Sequence, residues 1–400
     1  MTLVSDTTGF AWRCGISEVP VDSRLRQNGF KANDSVSIPF TTSPLNTQKS
    51  QPPDGGAKSG KQLSQQVLVV GSTGYIGKAV VRALVNRGHG VVAFARPRSG
   101  VGGTDDEEAT RQALAGADVR FGQVTRLDSL LADGGRGESF HAVICCLASR
   151  TGGVADSWRI DHQATANAIA AARHLGARQF VLLSAICVQK PLLAFQKAKG
   201  KVEEELKASG LIWSIVRPTA FFKSLAAQVE SVRRGCPYVM VGDGRQAACT
   251  PISEEDLAEY MADCLERPEL QNRILPIGGP GPALTARQQG ELLFSLLQRP
   301  PRFLRLPMAL FDVVIQVFTA LNRLAPGLED TLEYARIGRY YATESMLVWD
   351  PQTNAYCADA TPSTGTDTLK DFYKRILGEG LHGQNLGDQL LWNRWRKPQP

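Results

Sequence analysis

The sequence lacks several features that would each point to a different class of protein. Its 8 cysteines include no C-x-x-C pair and no Cys/His cluster with ligand spacing, so no metal site is expected and the thiols read as reduced, with Cys145 and Cys146 buried in an apolar run. No stretch approaches the roughly 18 uninterrupted apolar residues of a membrane span. The best candidate, Leu306 to Leu324, is broken by Asp312, Gln316, Asn322 and Arg323 and reads as an amphipathic or buried helix. No basic block stands out either: the net charge is +6 over 400 residues, with Lys and Arg interspersed among acids. That pattern argues against nucleic-acid binding.

Residues 1–62 lack apolar periodicity and are rich in Ser, Thr, Pro, Gly, Asn and Gln. Such a segment buries too little surface to offset its ordering entropy. It also lacks the apolar centre of a secretory signal, while its hydroxyl-rich, mildly basic character predicts an organelle transit peptide, with a plain disordered extension as the alternative. Gln51 to Lys61, QPPDGGAKSGK, reads as the linker to the folded part.

What is present begins at QVLVVGSTGYIGKAVVRALVNRGHG. Val67 to Val70 reads as a strand, Gly71-x-x-Gly74-x-x-Gly77 as a turn, and Lys78 to Arg87 as a helix ended by Gly88. In this context the glycines let the chain reverse, let backbone N–H groups approach a diphosphate, and let helix pack on strand. Gly71, Thr73, Gly74, Tyr75, Ile76 and Gly77 are therefore the candidate dinucleotide cradle. The next strand, Gly90 to Ala95, is followed by Arg96, Arg98 and Ser99 rather than by an acid. A guanidinium suits a 2′-phosphate through charge-assisted hydrogen bonds, so NADPH is the expected cofactor.

Further alternation follows: strands at Ala117 to Phe121, His141 to Leu147 and Gln179 to Leu183, and a helix from Ile160 to Leu175. It predicts an α/β fold with a doubly wound parallel sheet and ligands at the strand carboxyl ends. The expected organisation is a Rossmann domain over 63–300, a substrate-covering region over 301–380 and a tail over 381–400. Leu147 and Ala148, after the fourth strand, are candidates for the nicotinamide side, and Ser184 follows the fifth.

One absence bears directly on chemistry. In short-chain reductases a Y-x-x-x-K pattern supplies a phenol and, one helical turn later, a lysine, but AFQKAKGKVEEEL places Phe195 where the tyrosine would stand. Lys199 remains, able to bond a nicotinamide ribose or, on the bland reading, one solvated lysine among several. Loss of the phenol suits chemistry that develops no alkoxide, such as reduction of a carbon–carbon double bond. Phe195, Lys199 and Ser184 are the catalytic candidates, and Ser184, Lys199, Tyr238 and water are all open as proton donor. Phe221, Phe222 and Lys223 are candidates for a substrate wall, although a double Phe more often belongs to a core.

GSTGYIGKAVVRALVNRGH, CCLASRTGG, FQKAKGKVEEEL, SIVRPTAFFKSLAAQVESVRRGCPYVMVGDG and PISEEDLAEYM together resemble the divinyl chlorophyllide a 8-vinyl-reductases of chloroplasts, atypical members of the short-chain dehydrogenase/reductase family, from about Gln66 to about Gly380. The resemblance implies reduction of a C8 vinyl group on divinyl chlorophyllide, or its protochlorophyllide relative, with NADPH. A tetrapyrrole carboxylate would seek a cation, Lys223 or Arg234. A helix over Leu306 to Leu321 would cover the pigment or touch a thylakoid or envelope surface, or else pack internally. The tail residues Trp392, Arg394, Trp395 and Arg396 have no counterpart in that resemblance. Two rivals share the fold: an NADP-binding regulatory or sensor protein, and an isoflavone-reductase-like reductase of small phenolics.

Overall fold

Strand β1, Gln66–Val70, alternates its side chains between two covered faces, and the rest of the sheet repeats that plan. The computed structural model describes residues 64–100, 103–324 and 327–379. The transit segment, its linker and the tail with Trp392, Arg394, Trp395 and Arg396 lie outside the described residues. β2 (Gly90–Ala95), β3 (Asp118–Phe121), β4 (Ala142–Cys145), β5 (Gln179–Leu183) and β6 (Ile212–Pro218) follow. Two short strands, β7 (Tyr238–Val241) and β8 (Ala248–Cys249), precede β9 (Arg273–Ile277). The central sheet has the order β3-β2-β1-β4-β5-β6-β9, with every pairing parallel. This is the doubly wound parallel α/β fold expected from the alternation.

Strands so placed are buried on both faces and read as near-continuous apolar runs. Val67 and Val69 face Ala79, Val80, Leu257 and Met261, from the helices Tyr75–Asn86 (α1) and Glu254–Glu266. Leu68 and Val70 face Ala168, Ala172, Val202 and Leu206, from the helices Thr165–His174 and Ala194–Lys207. The period of two along a strand separates these two cores.

Three helices begin elsewhere than expected. α1 starts at Tyr75 rather than Lys78, because the glycine turn itself provides its first turn; Arg87 caps its end and Gly88 follows at φ +80°. The helix expected over Ile160 to Leu175 is preceded by a π-helical stretch, Ser157–Ala164, before regular helix takes over at Thr165. Such wide turns re-aim side chains. The helix expected over Leu306 to Leu321 spans Met308–Leu324, since Leu306 ends the strand Phe303–Leu306 and Pro307 separates the two. It packs on the helix Glu329–Thr343, where Asp312 meets Arg339 at 2.7 Å and a Cβ on Gly338 would lie 2.9 Å from Phe311. Its outer stripe, Leu310, Val313, Val317 and Leu321, is exposed. No helix among the described residues is long and apolar enough to cross a membrane.

Candidate active site

A cavity of about 920 Å³ opens at the carboxyl ends of β1, β2 and β4. It lies where the strand order reverses between β1 and β4, the place where open α/β sheets bind ligands. Gly71 stands at φ +81°, and a Cβ there would lie 2.7 Å from the Cys146 carbonyl carbon, so the turns after β1 and β4 press together. A Cβ on Gly77 would lie 2.1 Å from the Gly71 oxygen. The cradle therefore has no room for side chains at these two positions.

Gly74 is the N-cap of α1, has no side chain to cap the helix, and no acid follows in the first turn. Other helices are capped by their own side chains: Asp106 in Glu107–Ala113, Ser253 in Glu254–Glu266 and Thr285 in Ala286–Leu296. The first N–H groups of α1 thus lack a partner among the described residues, at the rim of a cavity lined by Gly71, Thr73, Gly74 and Tyr75. An uncapped helix start with its partial positive charge is a ready anion site, and a dinucleotide's diphosphate fits it. Ile76 contributes through its backbone position only, since its side chain is buried in the core.

At the far end of the cavity the expected guanidinium is present. Arg96 lines it and is exposed. Arg98 is exposed but does not line it, and Ser99 is buried, its hydroxyl bonded to Thr110 Oγ1 at 2.8 Å and its N–H donated to the Asp105 carbonyl at 2.9 Å. Ser99 shapes the loop that carries the arginines instead of reaching a ligand. Leu147 and Ala148 line the cavity, as placed from the sequence.

Lys199 is 7% exposed. Its Nζ lies 3.1 Å from Asp161 Oδ1 and donates to the Leu147 carbonyl at 3.3 Å, directly behind the cavity wall. Asp161, carried by the π-helical stretch, also accepts the Ser149 N–H at 3.1 Å. Its other oxygen, Oδ2, is buried without a hydrogen-bond partner among the described residues. Lys199 is therefore held by a buried carboxylate rather than solvated among the other lysines of its helix.

Five further candidates sit elsewhere than expected. Phe195 packs against the cluster of Ile186, Cys187, Leu193 and Tyr340 and does not line the cavity, because its side of the helix meets the C-terminal helices. Ser184 is buried and donates to Glu203, which Arg217 neutralises, so its hydroxyl is sealed beneath the lysine helix. Tyr238 is buried with Phe303 and Gln289 in a separate cluster. Phe222, offered as substrate wall, is 1% exposed and packs on Phe372 with ring centroids 5.2 Å apart. Arg234 is an exposed residue paired with Glu230 at 2.7 Å, away from the cavity.

Lys223 does line the cavity, and it has neighbours that no local motif announces. Its Nζ lies 5.0 Å from the centroid of the Tyr75 ring, whose hydroxyl donates to Glu254 at the start of the helix Glu254–Glu266. Phe221 meets the same ring edge-on with centroids 6.3 Å apart. Tyr75 and Glu254 are 179 positions apart in sequence, and Asp161 and Lys199 belong to different helices. These pairings could not be found from spacing.

A family model described as NAD(P)H-binding matches residues 71–268. The chain is 55% identical over 331 residues to a protein of Oryza sativa subsp. indica named divinyl chlorophyllide a 8-vinyl-reductase, chloroplastic, covering 82% of each chain. Against the protein of that name from Arabidopsis thaliana it is 52% identical over 341 residues, 84% of this chain and 81% of that one. Among solved structures, an isoflavone reductase superposes with TM-score 0.56 at 15% identity, over 78% of this chain and all (100%) of that one. An NADPH-dependent quinone oxidoreductase of Escherichia coli, in complex with NADPH, superposes with TM-score 0.54 at 17% identity, over 78% of this chain and 99% of that one. These superpositions establish the fold, while the identities reach across most of both chains: the protein belongs to the divinyl chlorophyllide a 8-vinyl-reductase family.

Proposed function

We propose that the protein reduces the 8-vinyl group of divinyl chlorophyllide a, or of its protochlorophyllide relative, to ethyl in the chloroplast, with NADPH as reductant. The observation that carries this reading is the 55% identity, over four-fifths of both chains, to a chloroplastic enzyme named for that reaction. The geometry agrees with it. The glycine turn and the uncapped start of α1 would hold the diphosphate. Arg96 would meet the 2′-phosphate, and Lys199, fixed by Asp161 behind Leu147, would brace the wall beside the nicotinamide ribose. When bound, the dihydronicotinamide supplies a hydride. No tyrosine stands one turn before the lysine, which suits an alkene, whose reduction develops no alkoxide.

Incubating the purified protein with NADPH and divinyl chlorophyllide should shift the Soret band to the blue as the vinyl group loses conjugation. Tight NADPH binding with no shift would instead favour a nucleotide-sensing protein of the same fold, and turnover of phenolics alone would favour the isoflavone-reductase-like reading. For the choice of nucleotide, Arg96→Asp should reduce the preference for NADPH over NADH by about tenfold or more, the worth of one or two charge-assisted hydrogen bonds. An unchanged preference, read from dissociation constants of the two nucleotides, would remove Arg96 from that role.

A further inference from the structure

Reduction of a vinyl group takes a hydride and a proton, and the usual phenol is absent from the lysine helix. Of the residues offered in its place beside water, Ser184 lies under Glu203, Tyr238 sits in another cluster, and Lys199 is committed to Asp161 and the Leu147 carbonyl behind the cavity wall. Among the described residues that line the cavity, Tyr75 and Lys223 carry transferable protons and lie against each other, beside Lys78, Arg82, Glu254 and Glu255. We propose that Lys223 is the general acid that protonates the reduced vinyl group, positioned by Tyr75 and Glu254. The proposal deepens the vinyl-reductase reading and rests on it.

Local structure forces Lys223 toward the cavity. It follows Phe222, whose fully buried ring anchors the short helix Phe222–Leu225 against Phe372. The next side chain is thereby turned outward, over the face of Tyr75. Phe221, the N-cap of the same short helix, also packs against that ring, so the segment carrying the ammonium meets Tyr75 at two points. A cation over a phenol ring is held by the ring's electron-rich face and can still direct its N–H groups elsewhere.

Charge decides between the two donors. The Tyr75 hydroxyl already gives its proton to a hydrogen bond with Glu254, and burial together with that carboxylate pushes the phenol's pKa well up. It is a poor acid. Burial pushes the Lys223 ammonium down from its ordinary value; Glu254 opposes that shift and Lys78 adds to it. A depressed lysine is a better acid than a free one and still carries its proton at lower pH. Glu255, pushed up by burial and by Glu254, and Arg82, its ion-pair partner at 3.0 Å, complete the charged groups on this side.

The step balances as follows. Hydride enters at one vinyl carbon, the π electron pair passes to the neighbouring carbon in conjugation with the macrocycle, and that carbon takes a proton as an N–H bond of Lys223 breaks. The resulting neutral amine regains a proton from water.

The test uses the full-length protein with Lys223→Gln and Lys223→Met, the second being close to lysine in length should the first disturb folding. Dissociation constants for NADPH and for divinyl chlorophyllide, from fluorescence titration, should stay within about threefold of wild type while kcat falls about 100-fold or more. Because the acid must be protonated to act, wild-type kcat should fall as pH rises through the lowered lysine pKa. The variants' residual rate should lack that limb, and added methylammonium should restore part of it. A raised chlorophyllide dissociation constant with kcat intact would make Lys223 a carboxylate anchor, and a raised NADPH constant would make it a diphosphate contact; either overturns the proposal. Wild-type protein that binds NADPH yet leaves the vinyl group untouched would instead defeat the underlying reading.

Discussion

The two ends of the cavity are built by different means. At the proposed nucleotide end one continuous stretch, Gly71 to Gly77, offers backbone N–H groups beside the Arg96 side chain, and its glycines matter by the side chains they lack. At the reaction end every group is a side chain: Lys199 against Asp161, and Lys223 above Tyr75 and Glu254. The first kind of site is held by sterics within a single strand–turn–helix unit, whereas the second requires that segments far apart in sequence arrive in register. Damage should accordingly look different. At the reaction end a single truncation strands a buried charge, while at the nucleotide end an added methyl group is the injury.

Asp161→Ala sharpens this contrast most. It would leave Lys199 buried without its carboxylate, and losing one partner of a buried ion pair costs about 3–5 kcal/mol. Urea denaturation should report a loss of that order, accompanied by a drop in turnover. Stability within about 0.5 kcal/mol of wild type would show that the pair is solvated, and the contrast would fail. Next in size is Gly77→Ala, where the new Cβ would meet the Gly71 oxygen at 2.1 Å. Overpacking of this kind costs about 1–3 kcal/mol, and here it should appear as weaker NADPH binding. Gly88→Ala is its control: the site is at φ +80° with no atom within 4 Å of the new Cβ. It should lose about 1 kcal/mol of stability to left-handed strain and leave the nucleotide's dissociation constant unchanged. The smallest effect belongs to Phe195→Tyr. Because this ring packs away from the cavity, restoring the phenol should change turnover by less than about twofold, whereas a gain of carbonyl-reductase activity would place position 195 at the reaction centre.

Legibility followed the same division. β2 and β5 are read from sequence to the residue, and α1 differs by three residues at its start and one at its end, since apolar periodicity and glycine positions act locally. Leu147, Ala148 and Arg96 line the cavity because strand ends in a doubly wound sheet converge there. Ser184 and Phe222 satisfied equally good local arguments and are nonetheless sealed in, one by Glu203 and the other by Phe372. A position just past a strand end limits where a residue can be, but not whether its side chain turns toward ligand or core. That choice is made by whatever packs above it.

By itself, then, the sequence determined the parallel sheet, the dinucleotide cradle and the absence of a phenol at position 195, because each is written in contacts between near neighbours along the chain. Only the tertiary structure decided that Asp161 holds Lys199, that Phe195 leaves the cavity, and that Lys223 enters it over Tyr75 and beside Glu254. The physical reason is that a side chain's charge and burial depend on its spatial neighbours, and here those neighbours come from helices and loops distant from one another along the chain.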